Sequence, residues 1–286
     1  MSFVKTTLCA AAMLVVVQTD QQALQRMVST ERAFAAATAE LGVRDGFLTF
    51  FGDDAIALVP GASGAGVTTP LAKESLRSRP QPKLPLAAKL RWEPFTGQMS
   101  SDGTLGWLTG PFVNAAETTN DILGKGAYFS VWKRQADGTY RVWLDEGVTL
   151  PSVWQNASEF RVAPDPDAGA VGSASETIAA AEASVAAGGD AWRARLADQA
   201  RLHRQGEMPK AGRTAVSEWS AGWSRVKYTT IKTEAAASGD LAVTVGGYDA
   251  TKTAAGAGTE HGTWVRVWKR AVTGAWRIVF ESSKST

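Results

Sequence analysis

The sequence predicts an α+β protein built from two similar halves, and three observations carry that prediction. Val131-Trp132-Lys133-Arg134 returns 136 residues later as Val267-Trp268-Lys269-Arg270, and Gly138, Arg141 and Asp145 fall on Gly274, Arg277 and Glu281 in the same register. Each copy reads as two alternating strands around a short polar turn, Ala136-Asp137-Gly138 or Val272-Thr273-Gly274, which is the pattern of a β-hairpin. In both halves helical stretches precede the strands, unlike the strand-helix alternation of a parallel sheet.

The halves are not equal in length. Leu105, Gly110 and Phe112 keep the spacing of 136 to Leu241, Gly246 and Tyr248, whereas Glu31 and Phe47 match Glu176 and Trp192 at a spacing of 145. The first copy therefore carries nine extra residues, an insertion expected in a loop. Domains are expected over residues 20–150 and 173–286, joined by a Pro- and Gly-rich linker over 151–172.

At 286 residues, with 44% hydrophobic and 20% charged, the chain is long enough for two buried cores. Its net charge of +2 and lack of Lys/Arg runs argue against a nucleic-acid partner. Lys5 followed by the apolar run Leu8 to Val17 suggests an export signal over residues 1–19, cut near Gln18 to Gln22; a buried first helix is the rival reading. A mature chain without Cys9 has no thiol, so it forms no disulfide and offers no cysteine ligand. It is expected to be secreted or periplasmic, with no membrane association after signal removal.

The elements follow in order. Ser29-Thr30-Glu31 caps an alanine-rich helix ending at Gly42. Asp45 to Phe51 forms a second helix, and Gly52-Asp53-Asp54 ends it before a strand at Ala55 to Val59. Leu71 to Arg77, bounded by prolines, is a third helix. Leu90 to Phe95, Leu105 to Val113, Tyr128 to Arg134 and Tyr140 to Gly147 are strands. The second half repeats the scheme: helices at Glu176 to Ala187 and Ala191 to Gln199, a strand at Ala200 to Arg204 and a helix at Thr214 to Ser220. Strands then cover Ser224 to Glu234, Leu241 to Tyr248, Thr263 to Arg270 and Trp276 to Glu281.

This order, with the lines Glu31-Arg32-Ala33-Phe34, Gly52-Asp53-Asp54-Ala55, Ser101 to Gly106, Gly126 to Gly147, Ser238 to Ala242 and Gly262 to Glu281, resembles the NTF2-like superfamily, in particular its DUF4440/SnoaL-like branch. The resemblance implies two tandem cones, each with helices packed in the concave face of a curved antiparallel sheet, and an intrachain pseudo-dimer. A cone interior can be a catalytic site, a pocket or plain core. Ketosteroid isomerases of this superfamily carry an Asp-Asp-Ala like Asp53-Asp54-Ala55 and a catalytic aspartate just before a proline. Here Val59 precedes Pro60, and the second copy places Arg204, beside His203, at that point. Neither valine nor arginine can act as a base.

Candidate ligand contacts are therefore drawn from strand aromatics and a few polar groups: Trp107, Tyr128, Trp132 and Asp145 in the first copy, and His203, Arg204, Tyr248, Trp264 and Trp268 in the second. The bland alternative is that the eleven tryptophans are core. Alternation puts Tyr140, Val142 and Leu144 on one face and Arg141, Trp143 and Asp145 on the other. The apolar face is expected inward, with Asp145 pairing with Arg141; the alternative is a cone lined by the mixed face. The second copy is the better ligand site because His203 and Arg204 could orient an anion. Two histidines do not assemble a metal site, and no cofactor motif is present. The expected function is binding of a small organic molecule in an aromatic-lined cone, without catalysis. An isomerase, cyclase or hydratase using Asp145, His203 or Glu281, and an interaction module with filled cones, are the alternatives.

Overall fold

The computed structural model describes residues 4–155, 159–167, 172–219, 223–253 and 258–286, with side-chain surroundings given from Asp20 onward. The side chain of Trp219 and the start of the proposed signal, residues 1–3, lie outside the described residues.

The first half opens with α1 (Val4–Phe50), broken at Gly42, whose φ of 82° and ψ of 165° are not helical. The break is the predicted end of the first helix, and only glycine accepts it at low cost. No described helix is long and apolar enough to cross a membrane. Among the side chains described, from Asp20 onward, Ala23, Leu24 and Met27 of α1 are buried. β1 (Phe51–Ile56) starts four residues earlier than expected, because Phe51 is needed against the sheet: it pairs with Val142 of β6 (Tyr140–Thr149), parallel to it. After a loop and α2 (Ala72–Arg77) come β2 (Ala88–Trp92), β3 (Thr96–Met99), β4 (Leu105–Ala116) and β5 (Ile122–Arg134). The strand expected over Leu90 to Phe95 is thus two strands, both paired with β4. The expected linker adds β7 (Arg161–Val162) to the sheet edge beside β3.

The second half repeats this with α3 (Ile178–Ser184), α4 (Gly189–Arg195), β8 (Leu196–Arg204), β9 (Lys210–Ala211), α5 (Arg213–Trp219), β10 (Trp223–Ala235), β11 (Leu241–Lys252), β12 (Thr259–Arg270) and β13 (Trp276–Ser285). Its order, β10-β11-β12-β13-β8-β9, mirrors β1-β6-β5-β4-β3-β7 in having the first strand of the half parallel to its last. The predicted turn glycines, Gly138 and Gly274, sit at φ of 82° and 83°, the left-handed conformation that a side chain resists. The chain is α+β, two tandem cones.

Both terminal hairpins contain the same irregularity. Val131 pairs with Leu144 but Trp132 pairs with Val142, so Trp143 is an extra residue; likewise Val267 pairs with Phe280 and Trp268 with Ile278. Such a β-bulge reverses the alternation beyond it. Tyr140 and Val142 face the helices of the first cone, while Leu144 faces the other sheet and Asp145 turns back into the cone. This corrects the expected faces.

The two sheets pack against each other through one continuous core. The Phe129 and Phe280 rings stack at 4.5 Å and 10°, and Trp107 lies 5.2 Å from Phe280. Reciprocal turns close the joint: Asp102 accepts from Ser238 N at 2.9 Å and Asp240 from Ser101 N at 3.0 Å. The nine extra residues fall between β1 and β2, where Gly64 N donates to Asp249 Oδ1 at 2.9 Å. A Cβ on Gly64 would meet the Tyr248 backbone at 2.7 Å, so the first half straps itself onto the second there.

Because Phe280 fills the joint between the sheets, Phe280→Ala is expected to destabilise the protein by about 3–5 kcal/mol. The check is urea unfolding, in which a loss below about 1 kcal/mol would contradict a shared core.

Candidate functional site

On β5, alternation sends Tyr128, Ser130 and Trp132 into the first cone and Phe129 and Val131 to the inter-sheet core. Helix α1 lays Glu31 over the same place. Glu31 is fully buried and accepts three hydrogen bonds, from Trp92 Nε1 at 2.6 Å, Ser130 Oγ at 2.5 Å and Trp132 Nε1 at 2.8 Å. Burial raises its pKa, and the three donors oppose the rise. Asp145 is the ladder partner of Ser130. Burial, then the charges of Glu31 and Glu146, push its carboxyl well above the usual carboxylate range. Neither Glu31 nor Asp145 has a cation within salt-bridge distance among the described residues.

Above Asp145 the cone is open. A cavity of about 310 Å³ is lined by Phe47, Leu90, Trp92, Phe112 and Tyr128, with Asp145 in its wall and Glu146, Thr149 and Lys284 at its rim. The Tyr128 hydroxyl is buried with no hydrogen-bond partner, and burial together with Glu31 and Asp145 raises its pKa. Glu146, desolvated but hydrogen-bonded to Ser282 and close to Lys284, is pushed up to about 7.

The second cone holds the same groups in a different state of charge. Arg266 occupies the position of Ser130, 136 residues on. It is fully buried, pairs with Glu182 through Nη1, and donates from Nε to Glu281 Oε2 at 2.7 Å. Burial alone would lower its pKa, but the two carboxylates outweigh that and raise it. The guanidinium also lies 4.5 Å from the Trp264 ring and 4.6 Å from Tyr228. Trp264 replaces Tyr128, so ring and guanidinium together fill the space that is cavity in the first cone. Glu182, not Glu176, is the counterpart of Glu31: it accepts from Trp268 Nε1 at 2.7 Å, while Glu176 forms an ion pair with Arg195 at 2.6 Å.

The candidate residues therefore separate. Tyr128 and Asp145 meet at one cavity, and Trp132 lies beneath it, fully buried on Glu31. Arg141 does not pair with Asp145: the bulge carries them to opposite faces, and Arg141 Nη1 donates to the Thr49 carbonyl at 2.5 Å. Trp107 belongs to the inter-sheet core. His203 does not stand at the mouth of the second cone, because its ladder partner Ser282 lies on the same face as Phe280. It is 1% exposed between the sheets, edge-on to Trp154 and Phe280 at 5.5 and 5.0 Å, and burial, then Arg201, lowers its pKa well below normal. Arg204 does reach the rim of the second cone, but pairs there with Glu260 at 2.6 Å and stacks on Trp223 at 4.6 Å. Tyr248 OH donates to the same carboxylate at 2.7 Å, Trp264 Nε1 to Gly247 O at 2.9 Å, and Trp268 serves Glu182. At this rim Arg204, Trp223, Lys252 and Glu260 line a polar cavity of about 410 Å³, whereas the aromatic-lined cavity expected in the second copy lies in the first. Reasoning from sequence missed Glu31, Trp92, Glu146 and Lys284. The one available signal was the alignment of Ser130 with Arg266, which marks a charge present in one copy alone.

No family model and no curated protein matches the chain. Solved structures do. A ketosteroid isomerase-like protein from Erwinia carotovora atroseptica matches at 17% identity, covering 33% of this chain and 78% of its own, with a TM-score of 0.28. An NTF2-like protein with a cystatin-like fold from Novosphingobium aromaticivorans matches at 15%, covering 37% and 71%, with a TM-score of 0.28. The SnoaL-like protein of Jannaschia sp. CCS1 matches at 11%, covering 34% and 70%, with a TM-score of 0.26. Each spans about a third of the chain, the size of one cone. These are likenesses of fold, and activity has to be argued from the residues.

An acid whose folded pKa is raised binds more protons folded than unfolded, so it removes stability as pH rises above its ordinary value of about 4. Asp145→Asn keeps the shape of the protonated acid without that penalty. The variant is expected to match the wild type near pH 4 and to become progressively more stable than it towards pH 8. Thermal melts across this range that stay parallel would contradict a raised Asp145.

In the second cone, Arg266→Met leaves Glu182 and Glu281 buried without their cation. A loss of about 3–5 kcal/mol is expected at pH 8. Urea unfolding checks it, and a loss below about 1 kcal/mol would contradict a buried ion-paired cation.

Proposed function

We propose that this is an exported binding protein whose first cone takes up a small, largely apolar organic molecule, with the second cone as its structural partner in a pseudo-dimer within one chain. The observation that carries this reading is an unspent hydroxyl beside a raised acid in an apolar cavity. The Tyr128 hydroxyl has no partner, and the upward shift of Asp145 favours its proton-bearing form. Both suit a ligand acceptor such as a ketone oxygen, around which Phe47, Trp92 and Phe112 bury the body of the molecule. A volume near 300 Å³ is at the small end of organic-ligand sites. Export is supported by the apolar amino-terminal run.

Binding without turnover is favoured because Glu31, the second buried carboxyl, is engaged by three donors and does not line the cavity. One observation favours a second reading: Glu146 at the rim, with a pKa of about 7, could abstract a proton next to a carbonyl held by Tyr128 and Asp145. 2-Acetonaphthone tests both. It is expected to bind more tightly than 2-ethylnaphthalene, which lacks the acceptor, and Tyr128→Phe should remove about 0.5–1.5 kcal/mol of that advantage. Tyr128→Trp, the residue of the filled copy, should abolish binding. Equal affinity for the two probes, measured calorimetrically, would defeat the reading. Methyl-proton exchange of the bound ketone in D2O that disappears in Glu146→Gln would establish the catalytic alternative instead.

A further inference from the structure

We infer that the ligand of the first cone is an organic anion, whose negative group is held at the cavity rim by Lys284 of the second half. The inference rests on the cone-one reading above and adds the chemistry of the ligand's outer end. The cavity wall is apolar and its uncharged donors lie inside, at Tyr128 and Asp145, while Lys284 contributes to the rim. Lys284 forms no salt bridge among the described residues; the acid that feels its charge is Glu146, which shares this rim, is hydrogen-bonded to Ser282 of the other sheet and is pushed up to about 7 by burial, so it competes only partly for the lysine.

The placement of Lys284 is built, since the rim is clamped from both sides. Thr149 N donates to Gln205 Oε1 at 3.0 Å, Gln205 Nε2 donates to Thr149 Oγ1 at 2.6 Å, and Gly206 N donates to Thr149 O at 2.9 Å. β8, which leads into that turn, pairs with β13 at Arg204 and Ser283, next to Lys284. Position 284 is also asymmetric. Its counterpart 136 residues earlier is Val148, buried with Ala127 and Leu150, so the first half sends no equivalent charge to the second cone. A molecule with an acceptor at Asp145 and an anion at Lys284 would reach from the cavity wall to its rim.

The test compares 6-acetyl-2-naphthoate with 2-acetonaphthone by calorimetry at pH 7. The wild type is expected to prefer the carboxylate by about tenfold, and the preference should fade in 0.5 M salt because the lysine is exposed. Lys284→Met should bring the preference close to one, Lys284→Glu should invert it, and Lys83→Met, a lysine outside the cavity lining, should leave it intact. A preference that survives in Lys284→Met, or a wild type without one, overturns the inference while the pocket reading stands. Failure of the wild type to bind either probe overturns both.

Discussion

The rest of this molecule depends on how each cone deals with a carboxylate buried at the base of its helices. An isolated buried carboxylate is expensive, and a protein can satisfy it with hydrogen-bond donors, neutralise it with a proton or pair it with a cation. The second cone pairs it: Arg266 lies between Glu182 and Glu281, three charges in contact inside a wall of aromatic rings. The first cone has Ser130 at the same place, so Glu31 relies on two indole N–H groups and a hydroxyl, and burial holds the Asp145 carboxyl well above the usual range.

That substitution can be tolerated because the two halves do not stand alone. Phe129, Trp107 and Phe280 make a single core of two sheets, and the Gly64 loop and the paired turns at Asp102 and Asp240 tie the edges. Burial of large rings at the joint stabilises the whole chain, so an unneutralised acid in one cone is carried by the other. A filled cone beside an open one is a workable division of labour under this constraint.

Much of the fold was legible because its signals are local. The duplicated hairpin announced itself through the Val-Trp-Lys-Arg repeat and the turn glycines Gly138 and Gly274, and Gly42 marked the helix break. What escaped was the bulge at Trp143. A one-residue register change has no compositional signature, since tryptophan is at home on either face of a sheet, yet it decides that Asp145 faces the cone and Arg141 does not. The same parity argument misplaced His203: which side of β8 it occupies depends on pairing with β13, a contact between residues some 80 positions apart.

The site itself was half legible. Tyr128, Trp132 and Asp145 could be named from strand aromatics and an acid at a strand end, but Glu31 could not be weighted, because its importance comes from the three donors gathered around it from strands 61 to 101 residues away. Its counterpart Glu182 was masked by Glu176, which fits the sequence spacing and is spent on Arg195. The informative comparison was between the copies rather than within either. A repeat preserves whatever the fold requires, so Trp132 and Trp268 agree, both donating to a buried glutamate. Where the copies part company, at Ser130 and Arg266, Tyr128 and Trp264, and Val148 and Lys284, the fold does not dictate the residue. All three differences act at one place: the first leaves the first cone without a cation, the second puts a tyrosine where the other copy has a tryptophan, and the third brings a lysine to the rim.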